Sequence, residues 1–125
     1  MRVAVVGGRD FDDYDLMKKT LDEIQDVDLI VSGGSEGADN LAERYAYEKS
    51  IKMKVFKPNW NMFGRQAGFL RNIDIINNAD MVVAFWDGMS RGTKHSIDIA
   101  KKGNIKTVVV EYRRTSAKKE NRKRG

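Results

Sequence analysis

The sequence predicts an α/β fold, a doubly wound domain of three layers with helices on both faces of a mainly parallel five-stranded sheet. Three observations predict it. Five short runs, most of them rich in Val and Ile, alternate along the chain with four amphipathic patterns of three- and four-residue spacing. Runs such as Val3-Ala4-Val5-Val6 are almost continuously apolar, as strands buried on both faces must be. The glycine-rich segments fall between a strand-like run and the helical pattern after it, where open α/β sheets carry their ligand loops.

Taken in order, the strands are expected at Arg2–Val6, Val27–Ser32, Lys52–Phe56, Met81–Phe85 and Thr107–Val110. Tyr14, Met17, Leu21 and Ile24 mark the first helix, with Asp12 or Asp13 as its N-cap. Ala38, Leu41, Ala42, Tyr45 and Ala46 mark the second; Phe69, Leu70, Ile73 and Ile76 mark the third. Thr93, Ile97 and Ala100 give a fourth, stopped by Gly103-Asn104. A strictly alternating order of this kind favours right-handed crossovers. No internal repeat or interdomain linker interrupts it.

Composition sets limits. The chain has 125 residues, no Cys, a single His and one Pro. Disulfides, thiolate nucleophiles and Cys-ligated zinc are excluded, and one histidine cannot build a histidine-based metal centre; no metal site is expected. No apolar run approaches the roughly 20 residues needed to span a bilayer, and the N-terminus lacks a signal-peptide layout. A cytoplasmic protein with no membrane partner is the expectation. Residues 113–125 carry seven cations and one anion, a net +6, while the whole chain is +5. Residues 1–112 are therefore −1 and form the folded domain. The basic 113–125 tail is expected to be disordered, with weak, salt-sensitive contact to nucleic acid as its functional option.

The loops carry the candidate chemistry. After the first strand, Gly7 and Gly8 permit a sharp turn and close ligand approach, and Arg9 is placed for a bidentate contact to phosphate or carboxylate. The second loop runs Ser32-Gly33-Gly34-Ser35-Glu36-Gly37-Ala38-Asp39. Backbone N–H groups at the helix start near Gly37 favour an anion, and the small residues leave room for phosphate or ribose. The segment is neither a dinucleotide fingerprint nor a phosphate-binding P-loop. Ser35 or Asp39 as a simple cap would need no ligand. Trp60 is a stacking candidate for a base or sugar, or a lid over the core edge. Arg71-Asn72 interrupts an apolar face, so Arg71 either pairs with Asp74 or Asp80 or awaits an anionic ligand. The fourth loop, Trp86-Asp87-Gly88-Met89-Ser90-Arg91-Gly92-Thr93-Lys94-His95, repeats the logic of the second. His95, near a helix start, should have a lowered pKa and stand ready for a ribose hydroxyl.

Together, Gly-Gly-Arg-Asp-Phe, Ser-Gly-Gly-Ser-Glu-Gly-Ala-Asp, Arg71-Asn72 and Trp-Asp-Gly-Met-Ser-Arg-Gly-Thr-Lys-His resemble the YspA-like (DUF2493) branch of the SLOG superfamily. The likeness spans about residues 1–110. It implies a Rossmann-like fold that binds nucleotides or nucleotide-derived signals. Superfamily members include cytokinin-activating phosphoribohydrolases, the DNA-processing protein DprA and sensors of NAD-derived molecules. The resemblance implies that residues 32–39 and 88–93 hold phosphate and ribose, supported by Arg9, Arg71 and Asn72. One departure stands out: Ser96 occupies the position of the phosphoribohydrolases' glutamate. A serine cannot serve as a carboxylate base unaided.

The expected function is binding of a nucleotide or nucleotide-derived small molecule, NAD- or ADP-ribose-like or a nucleoside monophosphate, as a sensor or sequestering module. No cofactor is required. The candidate contacts are Gly8, Arg9, Ser32, Gly33, Gly34, Gly37, Ala38, Asp39, Trp60, Arg71, Asn72, Trp86, Asp87, Gly88, Ser90, Gly92, Thr93 and His95. Two alternatives stand beside it. One is N-glycosidic hydrolysis, with Asp39, Asp87 or His95 as the groups available for catalysis; the other is DprA-like nucleic-acid binding. Self-association into a homo-oligomer is a further expectation from the superfamily.

Overall fold

The computed structural model describes residues 1–113. The expectations for a disordered, polyanion-binding tail concern residues that, from 114 on, lie outside the described ones. Five strands form one sheet: β1 (Arg2–Gly7), β2 (Leu29–Ser32), β3 (Lys52–Val55), β4 (Met81–Trp86) and β5 (Lys106–Glu111). Their spatial order is β3-β2-β1-β4-β5, and every neighbouring pair is parallel. The helices are α1 (Tyr14–Asp22), α2 (Ala38–Glu48), α3 (Trp60–Phe63), α4 (Ala67–Asn77) and α5 (Arg91–Lys102). This is the Rossmann-like α/β arrangement.

The two central strands show why their sequences are so apolar. In β1, Val3 and Val5 enter one core with Met17, Leu21, Ala42 and Tyr45, while Ala4 and Val6 enter the other with Ile75, Ile76, Ile97 and Ala100. In β4, Met81, Val83 and Phe85 share the first core, and Val82 and Ala84 the second. A strand covered on both faces has no position left for a polar residue. The edge strand β3 differs: Lys52 and Lys54 are exposed and alternate with half-buried Met53 and Val55, a pattern that discourages pairing with another chain.

Most boundaries lie within a residue or two of expectation, and Asp13 caps α1 by accepting from Leu16 N at 3.0 Å. Two segments differ. The polar stretch after β3 contains α3, capped by Asn59, whose side chain accepts from Met62 N at 3.1 Å; a 3₁₀ turn at Gly64–Gln66 follows. In α4, the face marked by Phe69 and Ile73 is not the core face. Ala67, Asn72, Ile75 and Ile76 are buried, and Phe69 and Ile73 point outward. Ile75 and Ile76 seat the helix in the core, and Asn72 is accommodated on the same face because its amide meets Gly92 O and His95 Nδ1 of α5.

The strand order reverses direction between β1 and β4. Chain leaving β1 passes to one side of the sheet and chain leaving β4 to the other, so their C-terminal ends open a crevice.

Candidate functional site

A cavity of about 690 Å³ occupies that crevice. Its first wall is the loop after β1, contributing Gly7, Gly8, Arg9 and Asp10. Phe11 anchors this loop: it is buried, stacks on Phe85 at 4.7 Å between centroids, and meets Tyr112 edge-on at 4.8 Å. Tyr112 Oη donates to Asp10 Oδ1 at 2.6 Å. A Cβ at Gly8 would meet the Tyr112 hydroxyl, so any side chain there would have to displace that tyrosine from Asp10.

Ser35 and Asp39 form the second wall. Asp39 accepts from Ser35 N at 3.0 Å and is 7% exposed. Burial raises its pKa, opposed by the hydrogen bond from Ser35 and by the Arg71 charge. The third wall is α3 and α4, with Trp60, Arg65, Gly68, Phe69, Arg71, Asn72 and Ile75. Arg71 Nη1 donates to Gly33 O at 2.6 Å, and Nε donates to Asn72 Oδ1 at 3.1 Å. Burial lowers the Arg71 pKa, Asp39 raises it, and the nearby Arg9 lowers it further. Asp74 and Asp80 are therefore not its partners; Asp80 instead pairs with Arg2 at 3.1 Å. The fourth wall, from β4 into α5, supplies Asp87, Met89, Ser90, Gly92, Thr93 and Ser96. Asp87 Oδ1 accepts from Met89 N and Ser90 N, at 2.9 and 2.8 Å, and Ser90 caps α5 through Thr93 N.

Of the residues singled out from the sequence, Gly8, Arg9, Asp39, Trp60, Arg71, Asn72, Asp87, Ser90, Gly92 and Thr93 line the cavity. Ser32, Gly33, Gly34, Gly37, Ala38, Trp86, Gly88 and His95 do not. The start of α2 is closed by the β1 loop: Ala38 N donates to Gly8 O at 3.2 Å, and Gly37 lies against the Gly8–Arg9 backbone. Gly33 lies beneath the Arg71 side chain, and the Ser32 hydroxyl is buried without a hydrogen-bond partner among the described residues. Trp86 Nε1 donates to Ser90 O at 3.1 Å, so this indole braces the fourth loop. His95 sits behind Asn72 and edge-on to Phe69. Its pKa is lowered as expected, but burial is the main cause and Asp98 opposes it.

Sequence reasoning missed Arg65 and Phe69 as wall residues. Arg65 follows the capped turn at Asn59, the one local signal that this segment was structured. Among the described residues, Arg9 and Arg65 form no ion pair. The three acids that line the cavity each accept internal hydrogen bonds. The arrangement offers guanidinium donors and half-exposed aromatic faces to an anionic ring-bearing ligand. No cluster of candidate metal ligands exists among the described residues, and none of their helices is long and apolar enough to cross a membrane.

Comparison with known proteins agrees with the fold. No solved structure matches the chain. The chain is 31% identical over 117 residues to the "Gene 61 protein" of Mycobacterium phage D29, covering 86% of this chain and 94% of that protein. A family model described as "YspA, cpYpsA-related SLOG family" matches residues 1–63, the stretch that holds the first two loops and the beginning of the aromatic wall. By sequence and by architecture, this chain belongs to the YspA-related SLOG family.

Proposed function

We propose that the crevice binds a nucleotide or nucleotide-derived small molecule, NAD- or ADP-ribose-like or a nucleoside monophosphate, as a sensing or sequestering module. The observation that carries this reading is the convergence of Arg9, Arg65 and Arg71 with Trp60 and Phe69 on one cavity at the switch point of the sheet. The guanidinium groups suit phosphate, and the aromatic faces suit a base. A volume of about 690 Å³ falls within the usual range for small-molecule sites, roughly 300–1,000 Å³. Charge-assisted hydrogen bonds contribute about 1.5–3 kcal/mol each before ordering costs, consistent with micromolar affinity. Mass spectrometry of the protein incubated with nucleoside monophosphates, NAD and ADP-ribose tests it. Retention of one of them intact, lost in Arg71→Ala, is expected; no retention of any would overturn it.

Asp39 favours a second reading, N-glycosidic hydrolysis. It is a buried carboxyl with a raised pKa, facing the cavity, in the electrostatic reach of Arg71. Release of free base that disappears in Asp39→Asn would move the protein to that class, despite Ser96 on the α5 wall.

A further inference from the structure

A continuous run of hydrogen bonds ties the loop after β2 to α4 and to the first turns of α5. Starting from Gly33 O, it passes through Arg71 Nη1 and Nε to Asn72 Oδ1. From the same amide, Nδ2 lies 3.3 Å from both Gly92 O and His95 Nδ1. Arginine Nε can only donate, so the amide oxygen must face Arg71; a carbonyl can only accept, so the amide nitrogen must face Gly92. The two constraints agree on one orientation. Its two N–H bonds are then directed at Gly92 O and His95 Nδ1, which leaves Nδ1 as an acceptor and the ring proton on Nε2. Asn72 is buried, and Phe69 holds the imidazole edge-on at 4.7 Å between centroids.

We propose that His95 is a positioning residue: its unprotonated Nδ1 fixes the Asn72 amide and, through it, the Arg71 guanidinium against the Gly33 loop, so anion affinity in the crevice falls when His95 is protonated. The effect on affinity rests on the crevice being an anion site; the hydrogen-bond coupling does not.

Protonation places an N–H on Nδ1 opposite the Asn72 N–H, donor against donor. Rotating the amide to relieve this would face Nδ2 toward Arg71 Nε and Oδ1 toward Gly92 O, breaking both other bonds. The groups that bear on His95 charge are few. On its own helix, Asp98 favours the imidazolium but is itself paired with Lys94 at 2.8 Å. From α4, Phe69 and Asn72 face the ring, and Arg71 stands beyond the amide. A simple Coulomb argument gives the opposite sign, since an added cation near an anion site should tighten binding. The direction of the pH dependence separates the two.

The chain has one histidine, so its imidazole signals are unambiguous. Nitrogen-15 NMR of the full chain from about pH 8 to about pH 5 should show the Nε2–H tautomer for the neutral ring. The Asn72 amide and Arg71 Nε–H signals should move with the same midpoint as His95, and stop moving in His95→Gln. Sulfate, dianionic throughout, is the anion probe. Its affinity should fall at least about fivefold across the His95 titration and stay flat in His95→Gln. A neutral ring protonated on Nδ1, an Arg71 signal indifferent to the titration, or tighter sulfate binding in acid would overturn the proposal. Intact coupling with no sulfate binding at any pH would instead count against the crevice as an anion site and leave the positioning run standing.

Discussion

Gly37 is the point at which the second loop touches the first, and replacing it tests the geometry of the whole crevice. Its φ is +72°, and a Cβ added there would lie 2.5 Å from the carbonyl carbon and oxygen of Arg9 and closer still to Gly8 O. These are backbone atoms of a loop pinned by buried Phe11, so they cannot swing aside as a long side chain would. A side chain at positive φ costs about 1–2 kcal/mol. Overpacking adds about 1–3 kcal/mol. Gly37→Ala should therefore destabilise the fold by about 2–5 kcal/mol. In a domain of this size that corresponds to a Tm drop of roughly 10–25 °C. Gly92→Ala is the contrast: nothing lies within 4 Å of its added Cβ, and the position is helical. Alanine there should leave stability unchanged or raise it by up to about 1 kcal/mol. Ligand affinity should fall, because the methyl projects where Gly92 lines the cavity. Calorimetric melting of both variants decides the matter. A Tm for Gly37→Ala within about 2 °C of the parent, or equal losses in the two variants, would refute the reasoning.

Other predictions concern single side chains. Burial raises the Asp39 pKa above its ordinary 3.8, so its contribution to stability is present below that value and lost as pH rises through the folded one. Asp39→Asn removes that loss; urea unfolding should show the variant at least as stable as the parent at neutral pH and relatively less favoured in acid. Asp13→Ala deletes the α1 cap and should cost about 1 kcal/mol in the same assay, with the slope against urea unchanged. Arg71→Ala strips a charged donor from Gly33 O and from the cavity, and nucleotide retention should drop at least about tenfold, whereas Arg71→Lys restores charge but not the two-pronged contact. For His95, a lowered folded pKa means stability present above the ordinary value of 6.5 and lost as pH falls below it. That acid slope should flatten in His95→Gln.

The layers of the fold were legible in the sequence because they arise from local pattern. Val3 to Val6 and Met81 to Phe85 are apolar at every position, and only a strand covered on both faces uses that composition. The glycine loops were legible as loops for a similar reason, since Gly-Gly after a strand has few other uses. The α4 face was misjudged because period alone cannot tell an apolar residue facing the core from one facing outward, as Phe69 does at the cavity and Ile73 on the surface. What the tertiary structure decided is the pairing of distant groups. Arg71 finds Gly33 across 38 positions, and Asn72 finds His95 across 23, because the strand order sets β1 between β2 and β4 and brings α4 and α5 together on one face. The same packing presses the first loop onto the start of α2 and leaves the opening of α5 on the cavity. Sequence alone determined which residues can bond an anion; contact between chain segments decided which of them are already bonded to one another.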